Sequence, residues 1–90
     1  MNKEIEKKIW PKYFDLVASG KKKYELRLAD FDVNEGDILI LKEWDPARKN
    51  YTGREIRKKV THIGHLDIND QSFWSKEQID KFGFHILSIE

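Results

Sequence analysis

Residues 19–28, Ser-Gly-Lys-Lys-Lys-Tyr-Glu-Leu-Arg-Leu, decide the fold because a helix end and a strand meet in this stretch. Gly20 is the residue type that most often ends a helix in the left-handed conformation. After it, apolar and charged residues alternate with the period of a β-strand. The apolar set is Tyr24, Leu26 and Leu28, and the charged set is Lys23, Glu25 and Arg27. The stretch therefore predicts a helix that ends before Gly20 and a following strand with one charged face.

Helical and strand patterns continue on both sides of this stretch. Pro11 suits the first turn of a helix, and Ser75 with Gln78 three residues later forms a capping box. The predicted elements are a strand over 5–10, a helix over 11–18, strands over 23–28, 38–44 and 54–63, a helix over 75–82 and a strand over 84–89. The strands over 38–44 and 54–63 are predicted to pair as a hairpin with a wide tip.

This order, β-α-β-β-β-α-β, predicts an α+β fold in which a small, strongly bent mixed sheet or barrel is flanked by two short helices. The chain has 90 residues, of which 39% are hydrophobic. That length and composition suffice for one core, so we expect a single domain over residues 1–90.

Composition excludes several classes of function. Cysteine is absent, which removes disulfides and thiol chemistry, and no glycine-rich phosphate-binding motif is present. His62 and His65 lie three residues apart, a spacing that points side chains to opposite faces of a strand, so no metal site is expected. No apolar run is long enough to cross a membrane. We expect a cytoplasmic protein without cofactor, most simply a monomer, although the sequence does not determine the oligomeric state.

Positive charge is concentrated in two segments although the net charge is only +1. The segments are Lys21, Lys22 and Lys23 in the first, and Arg54, Arg57, Lys58 and Lys59 in the second. If they meet in space, they form a patch for an anionic ligand. Each segment is also compatible with an ordinary solvated face.

Lys22, Glu25 and Arg27 are the strongest candidates for a ligand-binding group. Residues two apart on a strand point the same way, so Glu25 and Arg27 share a face, and Lys22 is expected to be accessible to solvent. The cations can donate to phosphate or carbonyl oxygen, and the carboxylate can accept from an amino group. The alternative is a surface ion-pair ladder of little energetic value.

Trp44 and Tyr51 are candidates for stacking on a nucleobase. Both are predicted to lie at the tip of the central hairpin, beside Arg54, and Tyr51 is the better candidate for an accessible ring. Stacking of a base on an aromatic ring contributes ~1–3 kcal/mol. Core packing is the alternative for Trp44 and more strongly for Trp10.

The segment Gly20-Lys21-Lys22-Lys23-Tyr24-Glu25-Leu26-Arg27 resembles the signature of the ASCH superfamily, approximately G-x-K-T-x-E-x-R after a short helix. Gly20, Lys22, Glu25 and Arg27 match it, while Lys23 stands where threonine is usual. The resemblance extends to residues 10–14, 36–39, 43–45 and 51–56. It covers nearly the whole chain and is closest to a compact ASCH-like subgroup of unassigned function.

The resemblance implies a barrel of the PUA-like type, with a cleft between the first helix and the barrel. It also implies binding of RNA or of a nucleotide-like ligand in that cleft. Some ASCH-like proteins are hydrolases, so the alternative function is a small hydrolase acting on RNA or on a modified nucleobase, with Lys22 and Glu25 as its catalytic residues. A protein-interaction role is a third possibility, and a large exposed apolar patch would favour it.

Overall fold

The structure, a computed structural model, describes residues 2–66 and 75–90. The described elements follow the predicted order. They are β1 (Glu4–Ile9), α1 (Pro11–Ala18), β2 (Tyr24–Leu28), β3 (Ile38–Asp45), β4 (Asn50–Leu66), α2 (Lys76–Phe82) and β5 (Phe84–Ile89).

Both helices begin with the predicted signals. Pro11 opens α1, and Gly20 adopts the left-handed conformation just beyond its end, with φ of 81°. At α2, the Gln78 amide N–H donates to Ser75 Oγ at 3.1 Å, and the Ser75 amide N–H donates to Gln78 Oε1 at 3.1 Å. This reciprocal pair is the predicted capping box.

The central hairpin is tighter than predicted. Trp44 pairs with Tyr51 and Asp45 pairs with Asn50, so only residues 46–49 form the connection. Asp45 Oδ1 accepts hydrogen bonds from the backbone N–H groups of the next residues along this turn. Because β4 begins at residue 50 and not at 54, the predicted wide tip is wrong. An Asx turn needs little chain length to reverse direction, which the sequence pattern did not reveal.

The described strands form one mixed sheet in the order β1-β3-β4-β5-β2. β1 pairs with β3 in parallel, and the other neighbours are antiparallel. The long strand β4 pairs with β3 through its first part and with β5 through its second part, and its register shifts between Val60 and His62. Such a shift increases the local bend and twist of a strand. The sheet therefore bends where β4 passes from one partner to the other.

The predicted barrel is wrong, because the sheet does not close. β1 and β2 lie at the two edges of the sheet, and no ladder joins them in the described residues. Arg27 Nη2 on β2 donates to the backbone carbonyl of Lys8 on β1 at 2.7 Å. The Arg27 side chain therefore occupies a carbonyl on the free edge of β1, which would accept a backbone N–H of β2 if the two strands were paired. The result is an open, bent sheet whose edges are joined by an arginine and separated by a cleft.

The main core lies between α1 and the inner face of the sheet. Its buried members are Ile9, Phe14, Val17, Leu39, Leu41, Val60, Leu87 and Ile89. A smaller buried cluster contains Leu28 and Phe84, with Phe82 of α2 packed against it. No helix in the described part of the chain is long and apolar enough to cross a membrane.

Candidate functional site

A cleft of about 480 Å³ lies between the two edge strands. α1 follows β1 in the chain and leads to β2, so its first turn stands at one end of the cleft. The lining residues are Lys8, Ile9, Trp10, Tyr13, Lys22, Tyr24, Glu25, Leu26 and Arg27. Because the sheet does not close, three of the predicted site residues, Lys22, Glu25 and Arg27, line one cleft.

The charged face of β2 is covered and much of its apolar face is exposed. Glu25 is only 3% exposed, whereas Tyr24 and Leu26 are 51% and 45% exposed. Leu28 shares the alternation of Tyr24 and Leu26, yet it is buried in the smaller cluster. A covered carboxylate requires partners, and the exposed apolar side chains leave a surface that the core does not use.

Glu25 is held by two cations. Lys22 Nζ donates to Oε1 at 2.6 Å, and Arg27 Nε donates to Oε2 at 2.9 Å. Because both carboxylate oxygens accept from neighbours, Glu25 positions Lys22 and Arg27 at the cleft. The Lys22 side chain is 16% exposed, so it is less accessible than the sequence predicted.

Three exposed aromatic rings border the same cleft. They are Trp10, Tyr13 and Tyr24. Lys22 Nζ lies 5.7 Å from the centroid of the Tyr13 ring and 5.0 Å from that of Tyr24. The sequence pattern did not reveal these rings as part of a site, because it favours core packing for Trp10 and places Tyr24 on the apolar face of its strand. The nearness of Tyr24 to Lys22 in the chain was the signal that could have indicated a shared site.

Trp44 and Tyr51, the predicted stacking residues, lie together but outside the cleft lining. Their ring centroids are 5.0 Å apart in an edge-to-face arrangement. Lys8 Nζ lies 3.8 Å from the centroid of the Trp44 ring and so covers one face of it. Tyr51 is 49% exposed, which leaves it as the accessible ring of this pair. Lys8 connects the pair to the cleft, because it also lines the cleft.

Arg54 lies away from the cleft and joins the hairpin to α1. Its Nε donates to the buried Glu43 carboxylate at 2.8 Å, and its Nη2 donates to Asp15 at 3.1 Å. The guanidinium also lies 4.5 Å from the centroid of the Phe14 ring. The hydrogen bond to Glu43, followed by that to Asp15, raises the pKa of Arg54, and the hydrogen bonds from Arg54 and then Thr52 lower the pKa of Glu43. Arg54 therefore has a structural role in placing α1, which carries one end of the cleft.

A family model described as a domain of unknown function, DUF3850, matches residues 5–75. The chain belongs to the DUF3850 family. The match includes every residue that lines the cleft.

A protein of Escherichia phage P2 is 39% identical to this DUF3850 chain over 79 residues. It is described as an uncharacterised 12.9 kDa protein in the GpA 3′ region. The alignment covers 88% of this chain and 66% of the phage protein, so the chain spans slightly less than two thirds of that relative's length.

The crystal structure of the hypothetical protein PH0355 has a similar fold, with a TM-score of 0.72. The alignment covers 100% of this DUF3850 chain and 98% of PH0355, at 23% sequence identity. At that identity the similarity supports the shared fold alone.

The two basic segments of this DUF3850 domain meet in a second groove of about 520 Å³. Lys22 and Lys23 come from the first segment and Lys58 from the second. Lys22 lines both this groove and the cleft, so the two are adjacent.

Within the described ranges, no group of three or more metal-ligating side chains is present.

Proposed function

We propose that this DUF3850 domain binds RNA or a nucleotide-like ligand, with a nucleobase held in the cleft between β1 and β2. The observation that carries the proposal is the set of exposed rings, Trp10, Tyr13 and Tyr24, beside cations that a buried carboxylate holds in place.

The physical argument begins with the exposed rings. Aromatic faces bind unstacked bases, and stacking is largely independent of base identity. The cleft volume of about 480 Å³ lies in the range typical of small-ligand sites, ~300–1,000 Å³. A nucleobase offers both a flat apolar face for the rings and polar edges for the nearby donors.

Lys22 and Arg27 supply hydrogen-bond donors at the inner wall of the cleft. Glu25 orients both side chains before a ligand binds. Less conformational entropy is therefore lost on binding. Arg27 and Lys22 are thus assigned to ligand contact, and Glu25 is a positioning residue. Tyr51 and Trp44 lie at the periphery, and Arg54 supports α1.

The alternative hydrolase requires a carboxylate or other base that can reach water or substrate. Both oxygens of Glu25 accept from cations and its side chain is covered, which favours binding over general-base catalysis by this residue. Binding without turnover is therefore the function that we propose.

The test is fluorescence anisotropy with a 5′-labelled pool of single-stranded RNA octamers. Tyr24→Ala removes a ring from the cleft, and Tyr51→Ala removes an equally exposed ring from the hairpin tip. Tyr24→Ala is expected to weaken binding about 5- to 150-fold, the equivalent of ~1–3 kcal/mol of lost stacking, and Tyr51→Ala is expected to change it less than about 3-fold.

Absence of binding by the natural chain would overturn the proposal. A loss at Tyr51 alone would place the site at the hairpin tip, and equal losses would contradict the assignment of the base to the cleft alone. Mass spectrometry of the same samples checks for products, and RNA cleavage or release of a base substituent would favour the hydrolase instead.

A further inference from the structure

Backbone hydrogen bonds between β5 and its two neighbours, β2 and β4, form the second groove. The Ile89 amide N–H donates to the Lys23 carbonyl at 3.0 Å, and Lys59 and Glu90 exchange backbone hydrogen bonds at 2.8 and 3.0 Å. The end of β5 therefore lies between the start of β2 and the middle of β4. This pairing brings Lys23 and Lys58 to one groove although they are 35 positions apart in the chain.

Lysine side chains outnumber carboxylates in the lining of this groove. Lys22 is paired with Glu25, but Lys23 and Lys58 form no ion pair with any described residue. Glu90 is the one acidic residue among the lining side chains of the described groove. Thr61 and Ser88 also line the groove, and a hydroxyl group is a hydrogen-bond donor.

The C-terminal end of α1 borders the groove at Gly20, and a helix end of this kind carries partial negative charge. Three of its last carbonyl groups already accept hydrogen bonds from the chain. The amide N–H groups of Ser19, Gly20 and Lys22 donate to the carbonyls of Asp15, Val17 and Leu16, at 3.0 to 3.1 Å. Because these carbonyls already accept hydrogen bonds, they do not compete with a ligand for the groove lysines.

Lysines without an ion pair, together with hydroxyl donors, are typical of sites that contact the phosphates of nucleic acids. The groove adjoins the aromatic cleft through Lys22, which lines both. A ligand that fills both places needs a flat base at one end and an anionic group at the other. A single-stranded RNA segment has this combination in each nucleotide, whereas a free nucleoside lacks the anion.

We infer that the groove lined by Lys23 and Lys58 holds a backbone phosphate of a single-stranded RNA whose base occupies the cleft. This inference rests on the proposed function and makes it more specific, because it assigns an oligonucleotide as the ligand instead of a free nucleoside. Lys22 stands at the junction between the base and phosphate positions.

The experiment compares the natural chain with the double variant Lys23→Gln/Lys58→Gln in the RNA octamer assay, repeated over a series of salt concentrations. The matched control is Lys49→Gln/Lys81→Gln, which removes the same charge at exposed positions outside both cavities. Neither lysine of the groove variant has a described side-chain partner, so the variant is expected to fold. Circular dichroism and a urea midpoint check this for all three proteins.

The groove variant is expected to weaken binding at least 10-fold at low salt. The slope of log affinity against log salt should become shallower by about 0.7, because one phosphate contact on a single strand contributes ~0.7. The control variant should change affinity less than about 3-fold and leave the slope nearly unchanged. A mixture of the four nucleosides, used as a competitor, should displace the octamer only at concentrations at least 100-fold above those of unlabelled octamer.

The outcomes separate this inference from the proposed function. If the octamers bind and Tyr24→Ala weakens them, but the groove and control variants behave alike, the phosphate groove is wrong and the cleft stands. If nucleosides compete as well as octamers, the assignment of an oligonucleotide is also wrong. If the natural chain does not bind the octamers, both proposals fail.

Discussion

At the scale of single residues, Asp37 shows how this highly charged chain accommodates a fully buried carboxylate. The Lys3 side chain donates to it at 2.9 Å, and the backbone N–H groups of Lys3 and Asn34 donate at 3.0 and 2.8 Å. These hydrogen bonds, with that of the Lys3 side chain as the largest cause, lower the pKa of Asp37 from 3.8 to about 2. The carboxylate joins the start of β1 to the turn before β3.

The lowered pKa of Asp37 predicts a loss of stability in acid. As the pH falls from about 4 to about 2, the unfolded chain binds a proton on this residue that the folded chain does not bind. The free energy of unfolding should therefore be highest above this range and should decrease within it. Urea midpoints measured between pH 5 and pH 2 test this expectation.

Asp37→Asn should remove much of that pH dependence and should also lower stability at neutral pH, because a charged acceptor is lost. Asp32→Asn, at an exposed position on the same connection, is the control and should retain the acid-induced loss of the natural chain. An unchanged pH dependence in Asp37→Asn would contradict the assignment.

At the scale of elements, β2 is the strand whose sequence pattern and position in the sheet disagree. Its alternating pattern places Leu26 and Leu28 on the same face, yet Leu26 is 45% exposed and Leu28 is 8% exposed. β2 is an edge strand with β5 as its described neighbour, so its first part borders the cleft and its end meets the small cluster around Phe84.

The two leucines form a matched pair for mutation. Leu28→Ala should lower the free energy of unfolding by about 2–5 kcal/mol, as is typical for buried leucine. Leu26→Ala should lower it by less than about 1 kcal/mol, because much of its side chain is in contact with water in both states. Chemical denaturation of the two variants measures the difference. Similar losses would mean that the whole apolar face of β2 packs against other parts of the protein.

At the scale of the whole molecule, the open sheet depends on Arg27 for the connection between its edges. Its guanidinium reaches both Glu25 on its own strand and the Lys8 carbonyl on the opposite edge. A planar guanidinium can hold two acceptors in a fixed geometry, whereas an ammonium group cannot reproduce that fork.

Arg27→Lys should therefore loosen the edges while keeping a positive charge beside Glu25. We expect amide hydrogen exchange in residues 4–9 and 24–28 to become about 5-fold faster, the equivalent of about 1 kcal/mol for one lost hydrogen bond. Exchange in the paired part of β3 and β4 should change little. Arg48→Lys, at the exposed hairpin turn, is the control. If the edge strands keep their natural exchange rates, the contact between Arg27 and Lys8 does not hold them together.

Much of the local structure could be predicted because its signals are short-range. Pro11, Gly20 and the Ser75 capping box act through neighbouring backbone groups, so the bounds of α1 and the start of α2 follow from the residues themselves. The charged residues of the cleft were also predictable, since Lys22, Glu25 and Arg27 lie within six positions of one another. Alternation alone did not show that Glu25 is buried and that Tyr24 is exposed.

By itself, the sequence determined the order of strands and helices, the ends of α1 and the nearness of Lys22 to Glu25 and Arg27. The tertiary structure alone decided that the sheet stays open, that Tyr24 faces solvent and that Arg54 binds Glu43 away from the cleft. The physical reason is the distance in sequence between the residues that interact. Caps and alternation depend on contacts a few residues apart, whereas closure of a sheet and burial of a strand face depend on segments that are distant in the chain.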